Sequence, residues 1–225
     1  MPAFQIATVP VTVFSQNCSI LWEPESRRAA VIDPGGEPGR IIDALNRLDL
    51  LPEMILLTHG HLDHAGGALA LKGVIDAARA SGGLPPAPVI GPDARDVFLL
   101  DSIEAQAAAY GISGLRNITP DRFLTEGETI ELGALSLDVL HCPGHTPGHL
   151  VFVEKTQRFA FVGDVIFRGG VGRTDFAYGD GPGLIRAIHE KLLPLGDDII
   201  FVCGHGEGST FGAERQSNPF LQASS

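Results

Sequence analysis

A chain of 225 residues is long enough for one domain with a full hydrophobic core, and a 44% hydrophobic share with 28 glycines suits a globular protein rich in turns. A formal net charge of −11 argues against non-specific binding to a phosphate backbone, so no nucleic-acid partner is expected. Three scattered cysteines (Cys18, Cys142, Cys203) make no disulfide framework; the start Met1-Pro2-Ala3-Phe4-Gln5 lacks a signal-peptide pattern and no apolar stretch reaches membrane-span length, which together predict a cytoplasmic protein with no membrane partner.

Short apolar runs alternate with amphipathic segments, the pattern of an α/β fold. Phe4 to Phe14, Cys18 to Trp22 and Ala29 to Ile32 read as successive strands, the last ending in the turn Asp33-Pro34-Gly35-Gly36. Ile41, Ile42, Leu45 and Leu48 recur at helical spacing, and Pro52 is expected to close that helix. Met54 to Leu57 is a short buried strand and Gly66 to Ala80 a second helix. The Gly- and Pro-rich stretch 81–88 reads as a connector inside one domain, and Ala94 to Tyr110 as a further helix. Four strand-like runs follow (Thr129 to Leu132, Leu135 to Leu140, Leu150 to Val153, Phe159 to Val162), then a helix from Leu184 to Leu193 and a last strand from Ile199 to Val202. The two halves show no sequence repeat, and stacked sheets with helices outside accommodate them.

Directly after the strand at Met54 comes Thr58-His59-Gly60-His61-Leu62-Asp63-His64. Three imidazoles and a carboxylate in six residues suit zinc and related first-row metals. His59 and His61 are two apart, which places them on one side of an extended backbone rather than on one helix face. This separates the cluster from the His-Glu-x-x-His helix of metalloproteases. Later strands deliver the same chemistry at their ends: His141-Cys142-Pro143-Gly144-His145-Thr146-Pro147-Gly148-His149, then Gly163-Asp164, then Cys203-Gly204-His205-Gly206. Loops at one edge of a sheet, held by rigid strands, are how many active sites are built.

In this order the motifs resemble those of the metallo-β-lactamase-fold superfamily, and the resemblance covers nearly the whole chain. It implies an αββα sandwich, a single domain over residues 1–225, with a two-metal site at one edge. Carried over by position, His59, His61 and His145 would hold one metal, Asp63, His64 and His205 the other, and Asp164 would bridge them. Two divalent ions, zinc first and iron or manganese as alternatives, would share a hydroxide that attacks a carbonyl, with Asp63 also holding the hydroxide's proton. His149 reads as a neighbour that hydrogen-bonds a ligand or its loop. Asp33 reads either as a carboxylate orienting a ligand imidazole or as the maker of an Asx-type turn. His141 and His189 fall outside the ligand pattern, and Cys142 and Cys203 read as small buried residues.

Within the superfamily the chain is similar to glyoxalase II-like thioesterases, the hydroxyacylglutathione hydrolases. The matching stretches are Gly163 to Phe176 and the tail from Gly204 to Phe220. The resemblance implies a small-molecule substrate, S-lactoylglutathione or a related hydroxyacyl-glutathione thioester. Arg168 and Arg173 are candidate partners for a glutathione carboxylate; Arg173 paired with Asp175, merely shaping its loop, is the competing reading. Two departures from the long glyoxalase II enzymes stand out. No separate C-terminal helical region that grips glutathione is expected, and Arg173 and Asp175 replace a Lys and a Tyr, so looser selection among thioesters is expected. Gly-Arg-Thr-Asp-Phe (172–176) also occurs in the persulfide dioxygenases of the superfamily. The alternative function is therefore a mononuclear-iron enzyme oxidising glutathione persulfide, with iron on His59, His145 and Asp164.

Overall fold

The computed structural model describes residues 4–222. Strands β1 (Gln5–Val11), β2 (Gln16–Trp22) and β3 (Ala29–Ile32) form an antiparallel meander. Helix α1 (Pro38–Leu48) crosses over to β4 (Met54–Leu56), which pairs parallel to β3. Helices α2 (Leu62–Ala65) and α3 (Ala68–Ser81) then lead to β5 (Val89–Ile90), parallel to β4, so the first sheet runs β1-β2-β3-β4-β5. Helices α4 (Val97–Leu100) and α5 (Ile103–Ala109) precede the second sheet. That sheet holds β6 (Thr129–Leu132), β7 (Leu135–His141), β8 (Leu150–Glu154) and β9 (Phe159–Phe161) as an antiparallel run. A small hairpin, β10 (Ile166–Phe167) with β11 (Gly170–Val171), and helix α6 (Gly181–Ala187) intervene before β12 (Ile200–Val202), which joins β9 in parallel. The edge strand β13 (Ser209–Thr210) and helix α7 (Phe211–Ser217) complete the order β13-β12-β9-β8-β7-β6.

The period-2 alternation of the central strands sorts their side chains into three apolar layers. Cys18, Ile20, Val31 and Ile55 pack against Ile41, Leu45, Leu71 and Ile75 of the helices outside the first sheet. Their neighbours Leu21, Ala30, Ile32 and Leu56 turn the other way, against Leu137, Val139, Phe152 and Phe161 of the second sheet. Val151, Val153, Ala160 and Phe201 leave that sheet on its far side and meet Leu184, Ile188, Leu192 and Phe211. Helix, sheet, sheet, helix is the αββα sandwich. Burial on both faces is why Ala29-Ala30-Val31-Ile32 is a continuous apolar run rather than an alternating one.

Several elements differ from the sequence reading, each for a local reason. The first strand stops at Val11, because Thr12 and Ser15 take left-handed backbone angles and close a turn into β2. Helix α1 ends at Leu48 on a left-handed Asp49, before Pro52 is reached. The helix expected over Gly66–Ala80 is the single helix α3, which starts at Ala68 because the Gly67 N–H donates to the Pro34 carbonyl (3.0 Å); the short α2 lies ahead of it, inside the His-rich stretch, where no helix was expected. The expected helix over Ala94–Tyr110 is a 3-10 turn at Ala94–Asp96 followed by α4 and α5. At the second break the Ser102 hydroxyl donates back to the carbonyls of Phe98 (2.8 Å) and Leu99 (3.2 Å). The helix expected over Leu184–Leu193 starts earlier, at Gly181, where the Asp180 carboxylate caps the Gly183 N–H, and loosens into a π turn at Ile188–Leu192. No helix among the described residues is long and apolar enough to cross a membrane.

Candidate metal centre

Strands β3, β4, β7, β9 and β12 all run toward one edge of the sandwich, where their ends supply the polar side chains. From the first sheet come Asp33 after β3 and the stretch Thr58–His64 after β4, the latter running into α2 with His61 at its N-terminus. From the second come His145 beyond β7, Asp164 beyond β9 and His205 beyond β12. A Cβ on Gly204 would lie 2.0 Å from Asp164 Oδ1 and 2.5 Å from His64 Cε1, so only glycine lets these two side chains meet.

Five imidazoles converge with the same logic. His59 Nδ1 lies 3.1 Å from Thr58 Oγ1, His61 Nε2 lies 2.8 Å from the Tyr178 hydroxyl, and His64 Nδ1 lies 2.9 Å from Asp33 Oδ2. His145 Nδ1 lies 2.8 Å from the Arg173 carbonyl and His205 Nδ1 lies 3.2 Å from the Phe14 carbonyl. Because the Thr58 hydroxyl itself donates to Asp33 Oδ2 (2.6 Å), its oxygen is free to accept. These oxygen partners assign the ring protons to the outward nitrogens and leave five lone pairs facing inward.

The inward atoms form two groups of three, His59–His61–His145 and Asp63–His64–His205, the ligand atoms of each lying within 4.8 Å of one another. In the first, His61 Nδ1 is 3.1 Å from His59 Nε2 and 3.0 Å from His145 Nε2. A tetrahedral zinc with nitrogens at its usual bond length separates them by about 3.4 Å, so the set fits an ion after small adjustment. In the second, His205 Nε2 is 3.2 Å from Asp63 Oδ2. Asp164 lies between the groups, with Oδ1 3.3 Å from His64 Nε2 and Oδ2 3.5 Å and 3.6 Å from the Nε2 atoms of His145 and His205. His64 Nε2 and Asp164 Oδ1, both buried, are close but not aligned as a hydrogen bond, which is how two ligands of one ion stand to each other.

Electrostatics divides the two groups. Burial holds His61 down to about 3, and burial with the crowding of neighbouring imidazoles holds His59 far below its ordinary value. Burial also lowers His145. These three are neutral, the state in which imidazole ligates. Burial opposes charge on His64 and His205 as well, but the carboxylates of Asp164 and Asp63 outweigh it and raise both. Reciprocally, burial would raise Asp63 and Asp164, yet His64 and its neighbours outweigh it and hold both carboxyls below the usual range. The second group's imidazoles therefore offer their inward lone pairs only as they give up a second proton, which metal binding would drive.

The remaining expected residues fall as follows. Asp33 makes no Asx-type turn with its side chain; the Gly35 N–H bonds its backbone carbonyl (2.9 Å), while its carboxylate serves Thr58 and His64. His149 Nε2 accepts the Asp164 N–H (3.0 Å) and its ring stacks on His59 at 4.5 Å. Arg173 lines the cavity above the site, but its guanidinium is engaged by Asp175 through two 2.8 Å bonds and lies 4.6 Å over the Phe176 ring. Arg168 pairs with Glu207 and does not line that cavity. His141 bonds the Pro147 carbonyl (2.7 Å) and His189 is exposed. Cys142 and Cys203 are buried, which pushes their thiols up to about 12 and about 11, and neither belongs to a group of converging ligand atoms.

The cavity holds about 460 Å³. Phe167, Val171, Arg173 and Phe176 of its walls lie in the stretch the sequence reading matched, whereas Phe14 from the β1–β2 turn, Gln106 and Tyr110 at the end of α5, and Tyr178 from the loop before α6 were not singled out as site residues. Phe14 meets Tyr110 edge-on at 6.0 Å, and Tyr178 stacks on Phe176 at 5.2 Å. The hairpin bearing Phe167 is tied to α7 from below: Glu214 accepts the Gly169 N–H (2.7 Å), and Asn218 Nδ2 donates to the Gly170 carbonyl (2.9 Å). No local pattern announces these residues, because their segments meet only in the folded chain.

A sequence profile described as the metallo-β-lactamase superfamily matches residues 11–205. The chain is 47% identical over 221 residues to hydroxyacylglutathione hydrolase GloC of Haemophilus influenzae, spanning 98% of this chain and 99% of that protein. Among solved structures, BLEG-1, described as a B3 metallo-β-lactamase, is similar with a TM-score of 0.83 at 32% identity, covering 97% of this chain and 100% of its own. TTHA1623, solved in a di-iron-bound form, has a TM-score of 0.83 at 33% identity and covers 96% of this chain and 100% of its own.

Proposed function

This chain belongs to the metallo-β-lactamase superfamily, and from that premise we propose that it is a two-metal thioester hydrolase acting on S-lactoylglutathione and related hydroxyacyl-glutathione thioesters. The observation that carries the reading is the set of five imidazoles with outward N–H groups committed to oxygen acceptors and lone pairs turned to two clusters joined by Asp164. His59, His61 and His145 would hold one ion, Asp63, His64 and His205 the other, and Asp164 would reach both. A donor set of nitrogen and carboxylate oxygen without thiolate suits zinc, with iron and manganese as competitors. When bound, such a pair supplies Lewis acidity and a water that loses its proton near neutral pH.

The chain's own residues do the rest. Asp63, kept ionised by its imidazole neighbours, accepts a hydrogen bond from the nucleophile's proton and so orients it. Asp33, Thr58, Tyr178 and the Arg173 carbonyl fix the imidazole rings. Phe14, Tyr110, Phe176 and Tyr178 exclude water around the bound acyl and thiol arms. A thiolate with a pKa near about 8.5 leaves without prior protonation, so a thioester needs no general acid opposite the nucleophile. This matches a lining whose non-ligand polar groups are only Gln106, Tyr110, Arg173 and Tyr178.

Selectivity for glutathione is the finer question. Both candidate arginines already have carboxylate partners, Asp175 and Glu207, with which a glutathione carboxylate must compete. We therefore expect modest discrimination between glutathione and other thiol arms. The test is thiol release from a thioester panel by enzyme of measured metal content. Hydrolysis of S-lactoylglutathione that rises with occupancy to two ions per chain, together with cleavage of some non-glutathione thioesters, is expected. A fully loaded enzyme that leaves S-lactoylglutathione intact would refute the activity, and one that cleaves it but ignores every other thioester would refute the modest selectivity.

A further inference from the structure

We propose that Asp96 is a positioning residue for the three-histidine cluster, one carboxylate bracing the two loops that supply all three of its ligands. The inference rests on the two-cluster reading above. Asp96 ends the 3-10 turn Ala94–Asp96, far in sequence from every candidate ligand, and is 0% exposed. Its Oδ2 accepts the N–H of Gly60 (2.9 Å), the residue between His59 and His61. The same oxygen accepts the Thr146 hydroxyl (2.7 Å), next to His145, and Oδ1 accepts the Gly148 N–H (2.6 Å).

The two braced loops leave different sheets, His59 and His61 following β4 and His145 following β7. None of the hydrogen bonds of Asp96 reaches Asp63, His64 or His205. Those belong to other supports, Asp33 behind His64 and the Phe14 carbonyl behind His205. The bracing is built close: a Cβ on Gly60 would lie 3.2 Å from Asp96 Cβ, and one on Gly148 2.8 Å from Asp96 Cγ. The Asp93 N–H also bonds the Gly148 carbonyl (3.2 Å), zipping the turn to the second loop. A carboxylate this deep, with donors from two ligand loops and no cation, is costly to bury unless all its oxygen capacity is used. Burial raises it to about 6, leaving it ionised above neutral pH, the form that accepts from three donors at once.

Asparagine cannot substitute, since its amide nitrogen would confront a backbone N–H of one loop or the other. The experiment is a zinc titration of metal-depleted enzyme against a chromophoric chelator. It compares wild type with Asp96→Asn and Thr146→Val, using His145→Ala and His205→Ala to assign the two binding steps. Loss of a partner behind a ligand lowers metal affinity by about 10–100-fold. Asp96→Asn is expected to weaken the step that His145→Ala abolishes by that factor and to leave the His205-dependent step unchanged. Thr146→Val is expected to weaken the same step by less. Equal weakening of both steps, weakening of the His205-dependent step alone, or a lowered melting temperature of metal-free protein with both steps unchanged would overturn the proposal. Should Asp96→Asn fail to fold, Thr146→Val is read alone by the same criteria. A wild type that binds a single ion contradicts the two-metal reading, while the Asp96 proposal then stands or falls on whether that step is the His145-dependent one.

Discussion

Asp33→Asn perturbs the support of the second cluster without changing side-chain volume. The carboxylate, 3% exposed, accepts three hydrogen bonds: the Thr58 N–H at 2.7 Å, the Thr58 hydroxyl at 2.6 Å and the His64 Nδ1–H at 2.9 Å. Asparagine offers one accepting oxygen. With that oxygen toward the Thr58 N–H, the amide nitrogen faces His64, whose ring must then carry its proton on Nε2, the atom needed as a ligand. With the oxygen toward His64, the amide nitrogen confronts the buried Thr58 N–H, and an unpaired donor there costs about 1–3 kcal/mol. Expressed in binding, that is about 5- to 150-fold in affinity. The expected outcome is a loss of this size at the His205-dependent step of a zinc titration, with a smaller loss at the His145-dependent step, because the Thr58 hydroxyl held by Asp33 also supports His59. If Asp33→Asn lowered thermal stability but left both steps unchanged, Asp33 would be a turn residue, held for its left-handed φ of 53°, and the reasoning from ring orientation would fail.

Three further outcomes follow from the same geometry. Asp175→Asn frees the exposed Arg173 guanidinium and is expected to lower KM for S-lactoylglutathione by less than about tenfold, with no change for a thioester of an uncharged thiol; equal effects on both substrates would contradict the reading. Asn218→Ala removes the buried donor that reaches Gly170 and Glu214, which should cost about 1–3 kcal/mol of stability and raise KM through the loosened Phe167 hairpin, both measurable by urea unfolding and steady-state kinetics. The carboxyl of Asp96 is raised from 3.8 to about 6, so between these values folded metal-free protein holds a proton the unfolded chain has lost. Its contribution to stability therefore falls as pH rises through that window, by about 3 kcal/mol at most. Urea unfolding of wild type and Asp96→Asn should show their stability difference moving against wild type from pH 4 to pH 7, and movement in the opposite sense would contradict the assignment.

The ligand types were legible in the sequence because each follows a short apolar run, and a strand end fixes where the next side chains go. The sorting of His59, His61 and His145, of Asp63, His64 and His205, and of a bridging Asp164 came from the resemblance to the superfamily, not from the strand ends alone. The supports were harder to read. Asp33 and His64 meet from positions 31 residues apart, and only the parallel pairing of β3 with β4 brings them together. Asp96 looked like an ordinary acidic residue in the first turn of a helix, since nothing local distinguishes a carboxylate that accepts from its own turn from one that accepts from two distant loops. The helix break at Ser102 was hidden for a similar reason: the pattern stays compatible with a helix, and the competing hydrogen bonds decide. The cavity wall joins Phe14, Tyr110 and Tyr178 from three segments, a meeting that periodicity does not report.

The most direct test of the central claim pairs thioester cleavage with oxygen uptake on one preparation of known metal content. The hydrolase account predicts thiol release from S-lactoylglutathione with no oxygen consumed, and no oxygen uptake when glutathione persulfide is supplied. Stoichiometric oxygen consumption on glutathione persulfide, with S-lactoylglutathione left intact, would contradict it and establish the mononuclear-iron dioxygenase instead.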